Sequence, residues 1–74
     1  SGRRIAPPEV APGDLVYLTR RDTGVRHVAL VVGRDPPRVV HAGLDAGVTI
    51  EALEALADRY ELRGAARIGP PPGA

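Results

Sequence analysis

Two histidines, His27 and His41, are the side chains of this sequence best suited to proton chemistry near neutral pH, because imidazole alone titrates there unperturbed. His27 opens the apolar run His27-Val28-Ala29-Leu30-Val31-Val32, and His41 lies in a second run from Arg38 to Ala42. Gly33-Arg34-Asp35-Pro36-Pro37 separates them and is rich in turn residues, so the two runs read as the arms of a hairpin. An even register, about 66 to 70 in summed residue numbers, puts both imidazoles on one face, opposite or one diagonal step apart. An odd register puts them on opposite faces.

Three readings fit such a pair. Each imidazole can be an ordinary strand-end or half-buried side chain. The two can belong to a metal site, but that needs a third and usually a fourth ligand. Asp22, Asp35 and Asp45 all sit in turn sequences where solvation accounts for them, so no metal and no other cofactor is expected. The third reading is a base and its orienter, in which one ring takes a proton from a nucleophile and the other fixes its tautomer. The chain has no Cys, so a thiol nucleophile would have to come from elsewhere.

The elements that position these residues follow from the pattern of the chain. Ser1 to Ala11 carries prolines, a glycine and the Arg3-Arg4 pair and reads as an extended lead-in. Pro12-Gly13-Asp14 is a turn signal, with Pro fixing φ at one corner and Gly accepting positive φ at the next. Leu15 to Thr19 is a short β-prone run, and Arg20 to Gly24 closes it with another turn. The run from His27 is apolar at almost every position, the pattern of a central strand covered on both faces. Val48-Thr49-Ile50 reads as a further short strand, completing an antiparallel meander.

From Glu51 the period changes. Leu53, Leu56, Ala57 and Tyr60 recur at the i, i+3, i+4, i+7 spacing of an amphipathic helix. Glu51 and Glu54 at its start and Arg59 and Arg63 at its end suit the macrodipole, and Gly64 is a natural stop. Ala65 to Ile68 reads as a last strand before the Pro-rich tail, residues 69 to 74. The expected class is therefore α+β, about five short strands with one C-terminal amphipathic helix.

Composition bounds what such a domain can be. At 74 residues and without cysteine it is one small domain or part of one, burying only about 60% of its unfolded surface and having no disulfide to compensate. Ten basic against nine acidic residues leave a formal charge of +1, too balanced for a dedicated nucleic-acid binder. No apolar run approaches the roughly 20 residues of a membrane span. The Arg3-Arg4 and Arg20-Arg21 pairs read as solvated faces.

The ordered set Pro12-Gly13-Asp14-Leu15-Val16-Tyr17, His27-Val28-Ala29-Leu30-Val31-Val32-Gly33 and Val39-Val40-His41-Ala42 resembles the NlpC/P60 cysteine peptidases. Val48-Thr49-Ile50, a helix ending near Tyr60 and Ala66-Arg67-Ile68 continue the likeness, which covers about Arg4 to Ile68. CHAP amidases share a Gly-Asp turn and a His-Val-Ala strand, but the His-Ala step at His41 is closer to NlpC/P60. The resemblance implies the sheet half of a papain-like domain, with His27 as catalytic base and His41 as the third polar residue that orients it. It also implies a bacterial, secreted or cell-wall-associated hydrolase acting on peptidoglycan stem peptides. The family's nucleophile lies in an Asp-Cys-Ser-Gly type motif upstream of the Pro-Gly-Asp turn, and Ser1-Gly2 does not supply it. Arg26 departs from the small residue common before the His and places a cation near the base.

The chain is thus expected to be a single partial domain, residues 1 to 74, with a lead-in over 1 to 11, sheet and helix over 12 to 68, and a tail. Its expected partners are a peptidoglycan stem peptide and either the missing Cys-bearing half or a second copy. A non-catalytic wall-binding or interaction module is the alternative, and a small β module of unrelated function the third possibility.

Overall fold

The computed structural model describes residues 2–5, 9–43 and 47–68. Six strands form one antiparallel sheet: β1 (Gly2–Ile5), β2 (Leu15–Arg20), β3 (Arg26–Gly33), β4 (Arg38–Gly43), β5 (Gly47–Ala52) and β6 (Tyr60–Ile68), in the order β1-β6-β2-β3-β4-β5. Strands β2 to β5 are a meander, and β6 returns along the far side of β2. The stretch expected as a lead-in supplies an edge strand, since residues 2 to 5 pair with the end of β6. The Pro-rich tail lies outside the described residues.

The turn before β2 forms as its residues dictate. Gly13 takes φ +96°, the Asp14 N–H donates to the Ala11 carbonyl at 3.0 Å, and the Ala11 N–H donates to Asp14 Oδ2 at 2.8 Å. Asp14 does more than turn the chain. Its carboxylate is buried and accepts from Arg67 on β6 through both oxygens at 2.9 Å, a bidentate pairing that locks the start of β2 to the end of β6.

The expected C-terminal amphipathic helix is absent, and the α+β assignment is corrected to an almost entirely β architecture. Glu51 belongs to β5, where it stands opposite Val39. Tyr60 begins β6 opposite Arg20, and Leu62 follows opposite Leu18. Only Leu53–Asp58 remains between them, as a short 3₁₀ helix. Six residues are too few for a self-supporting α-helix, whose nucleation is costly. Leu53 and Leu56 still share a face, because side chains three apart eclipse in the 3₁₀ form. That form also rises about 2.0 Å per residue against 1.5 Å in an α-helix, which suits a segment that must carry the chain across the sheet from β5 to β6. Gly64 stops no helix; it lies within β6, beside the irregularity in its pairing with β2.

The core occupies one face of this sheet. Val16, Leu18, Ala29, Val31, Val39 and Ala65 point into it, and Val10, Leu56 and Tyr60 complete the cluster. Among the described residues nothing covers the other face. Tyr17, Val28, Leu30, Val32, Val48 and Ile50 stand there between 39% and 76% exposed, so β3, apolar on both sides in sequence, is buried on one side only.

Two outcomes follow from this asymmetry. Leu56→Ala removes a side chain that is 1% exposed and is expected to cost about 2–5 kcal/mol, whereas Val48→Ala on the open face stays within about 0.5 kcal/mol; urea unfolding measures both. The apolar face also predicts self-association. Sedimentation velocity across a concentration series is expected to show it, and a sharp, concentration-independent monomer is the contrary result.

Candidate functional site

The β3–β4 hairpin decides where the histidines fall. Leu30 pairs with Val40 and Val31 with Val39, an even register that carries His27 and His41 to the same face, one diagonal step apart. That face is the core side, shared with Ala29, Val31 and Val39. The irregularity that shifts the register lies beyond Val31, toward the hairpin tip, and leaves the histidine end in phase. The rings meet edge to face with centroids 5.0 Å apart, and His27 Nε2 lies 2.9 Å from His41 Nδ1.

The pair continues into two residues that the sequence reading assigned to the ends of a helix. His41 Nε2 lies 2.6 Å from Glu51 Oε2, and Arg59 Nη2 donates to Glu51 Oε1 at 2.7 Å. Glu51 reaches His41 because β5 pairs His41 with Thr49 and Val39 with Glu51, which puts Glu51 diagonal to His41 on the core face. Arg59 is placed by its backbone: its N–H donates to the Leu56 carbonyl at 3.0 Å, and its own carbonyl accepts from the Arg21 N–H at 2.9 Å. The result is a continuous line of side chains, His27, His41, Glu51, Arg59. A strand reading extended one residue past Ile50 would have included Glu51, but only the pairing of His41 with Thr49 sets it on the histidine face, since alternation by itself turns the apolar Val48 and Ile50 inward.

Tyr60 braces the line. Its ring stacks on His27 at 4.9 Å between centroids and 23° between planes, and meets His41 edge-on at 6.2 Å. His41 is 5% exposed, so both of its nitrogens need partners inside the protein, and each has one. His27 is only half-buried and lines a groove of about 200 Å³ with Arg20, Thr23, Val25, Arg26, Ala42 and Tyr60. A larger apolar groove, about 450 Å³, runs beside it past Leu18, Leu53, Leu56, Tyr60 and Leu62.

The electrostatics favour a neutral His27 and an ionised Glu51. Burial is the main influence holding the His27 imidazole below its ordinary value of 6.5, and His41 and Arg20 add repulsion. The cation acting on His27 is therefore Arg20, on the neighbouring strand, and not Arg26 as its place in sequence implied. Arg20 also donates to Asp22 at 2.9 Å, and the Arg21 guanidinium donates to the Ala57 carbonyl at 2.8 Å, so this arginine pair ties turns together. Glu51 is held below the usual carboxylate range by the hydrogen bond to His41 first and by Arg59 next. The facing histidine nitrogens, 2.9 Å apart, are at hydrogen-bond distance and closer than the roughly 3.3 Å that two Zn–N bonds span at a tetrahedral angle.

No family model matches the chain, and no curated protein matches it.

The His27 shift carries a sign that can be measured. An imidazole whose folded value is lowered binds fewer protons folded than unfolded, so stability falls as pH drops through the unfolded value near 6.5. The urea midpoint is expected to decline from pH 8 to pH 5.5 (values about the ordinary imidazole range), and the decline is shallower in His27→Gln. Equal slopes in the two proteins would contradict the assignment.

Proposed function

We propose that this chain is the histidine-bearing half of a bacterial cell-wall peptidase domain of the NlpC/P60 type, acting on peptide bonds of peptidoglycan stem peptides outside the cell. The observation that carries the reading is the His27 Nε2 to His41 Nδ1 contact at 2.9 Å. It supports a base braced by an orienter beside an open groove, which is what nucleophilic catalysis requires of two of its three members. In that chemistry His27 takes the proton of a cysteine thiol, the thiolate attacks the scissile carbonyl, and the protonated imidazole delivers the proton to the departing amine. His41 holds the plane of His27 through the same steps.

The third member is a cysteine, and the sequence contains none. The thiol is supplied by a separate segment that docks beside His27, where Arg20, Thr23, Val25 and Arg26 border the groove. Absence of the thiol from this chain also favours a second reading, a non-catalytic peptidoglycan-binding module that keeps the groove and has lost the reaction.

The pure chain is expected to release no peptide from peptidoglycan, with or without iodoacetamide. Fused to the upstream segment that carries an Asp-Cys motif, it is expected to show alkylation-sensitive cleavage that His27→Ala lowers by about 10²–10⁴-fold. Cleavage by the pure chain that survives alkylation would overturn both readings, and an upstream coding sequence without cysteine would leave the binding module.

A further inference from the structure

We propose that Glu51, clamped by Arg59, is a positioning residue that sets the direction of every hydrogen bond in the line and so makes Nδ1 of His27 its basic nitrogen. The inference rests on the reading of His27 as a general base, and it assigns roles to two residues outside the histidine pair.

The argument is one of donor and acceptor inventory. An ionised carboxylate only accepts hydrogen bonds, and a neutral imidazole has one N–H and one bare nitrogen. Arg59 Nη2 takes Glu51 Oε1 at 2.7 Å, leaving Oε2 for His41 Nε2 at 2.6 Å. That nitrogen must then carry the proton, because a bare nitrogen at this distance would set two lone pairs against each other. His41 Nδ1 is consequently bare and accepts. The partner 2.9 Å away, His27 Nε2, must be the donor. With its single proton engaged there, His27 keeps an open lone pair on Nδ1.

Reversing the line shows what the carboxylate excludes. With the proton of His41 on Nδ1, His27 Nε2 would accept and the His27 proton would move to Nδ1, where no thiol proton could be taken. Both arrangements satisfy the histidine pair by itself. Only the acceptor at position 51 tells them apart, two hydrogen bonds from the reacting nitrogen. Arg59 contributes by engaging the second carboxylate oxygen and by favouring the ionised form, and its backbone is pinned on both sides by Arg21 and Leu56. Tyr60 stacked on His27 resists the ring flip that would exchange the nitrogens.

Imidazole ¹⁵N correlation spectra of the 74-residue chain at about pH 8, above the ordinary histidine range, test this without any enzymatic assay. Both histidines of the native chain are expected in the Nε2–H tautomer. Glu51→Gln offers either an acceptor or a donor, so His27 is expected to become a mixture, its Nδ1 signal moving from pyridine-like toward pyrrole-like; Glu51→Asp keeps a carboxylate and restores the single tautomer. A native chain with His41 in the Nδ1–H form overturns the proposal whether or not any variant folds. So does a folded Glu51→Gln protein with unchanged His27 shifts. The expected tautomers together with an inactive Cys-bearing fusion would refute the peptidase reading alone, whereas an active fusion with the opposite tautomers would refute only the role of Glu51.

Discussion

A buried imidazole needs a partner for each nitrogen, and most of this structure is arranged around that requirement at His41. Its side chain is 1% exposed among the side chains that form the core. An unmatched polar atom there would cost on the order of 1–3 kcal/mol, a large part of what so small a domain holds in reserve. One partner arrives from β3, which demands the even register of the β3–β4 hairpin. The other arrives from β5, which demands that the strand run on past Ile50 to Glu51. A slip of one residue in either pairing would carry one partner to the opposite face and leave a nitrogen of His41 unmatched.

The same requirement explains which parts of the fold were legible in the sequence. The strands around Val16, Leu30 and Val40 announce themselves by composition, and the turn at Pro12-Gly13 by chemistry. Register did not, because β3 is apolar at both parities and alternation there carries no information. The segment from Glu51 misled for a related reason. Leu53, Leu56, Ala57 and Tyr60 fit a helical period, and the acidic start and basic end fit its dipole, yet both charges belong to tertiary contacts. Glu51 and Arg59 pair with each other at 2.7 Å and are placed by β5 and by the turn before β6. Local propensity loses here to long-range pairing, as it does when the contested segment is short. Asp14 was legible as a turn residue and not as the buried partner of Arg67, 53 positions away, since nothing local encodes that contact.

The two faces of the sheet divide the work between them. The core face is filled by Val16, Leu18, Val31, Val39 and Leu56 and closes around the polar line, so that desolvation, the main influence on His27, comes from packing that also stabilises the domain. The opposite face presents Val28, Leu30 and Val32 to water. Burying those side chains would contribute roughly 25 cal/mol for each Å² removed from water, a gain that the described residues do not realise among themselves. A strand that is apolar at both parities is built for cover on both sides, and the described residues provide it on one.

Polarity is what separates a functional arrangement from an ordinary buried histidine pair. Two imidazoles in contact can settle with either nitrogen protonated, and stability alone is indifferent to the choice. Adding a carboxylate at the far end removes the degeneracy, because its oxygens cannot donate. Adding an arginine beyond the carboxylate keeps it ionised over a wider range of pH. Each added group lies one hydrogen bond farther along the line from His27, and each constrains the one before it. The open nitrogen of His27 is therefore determined by a sequence of hydrogen bonds that begins at Arg59, on the connection between the 3₁₀ helix and β6. That connection is also what replaced the expected helix, so the departure from helical periodicity and the directionality of the site have one cause: Glu51 is needed in a strand, facing His41.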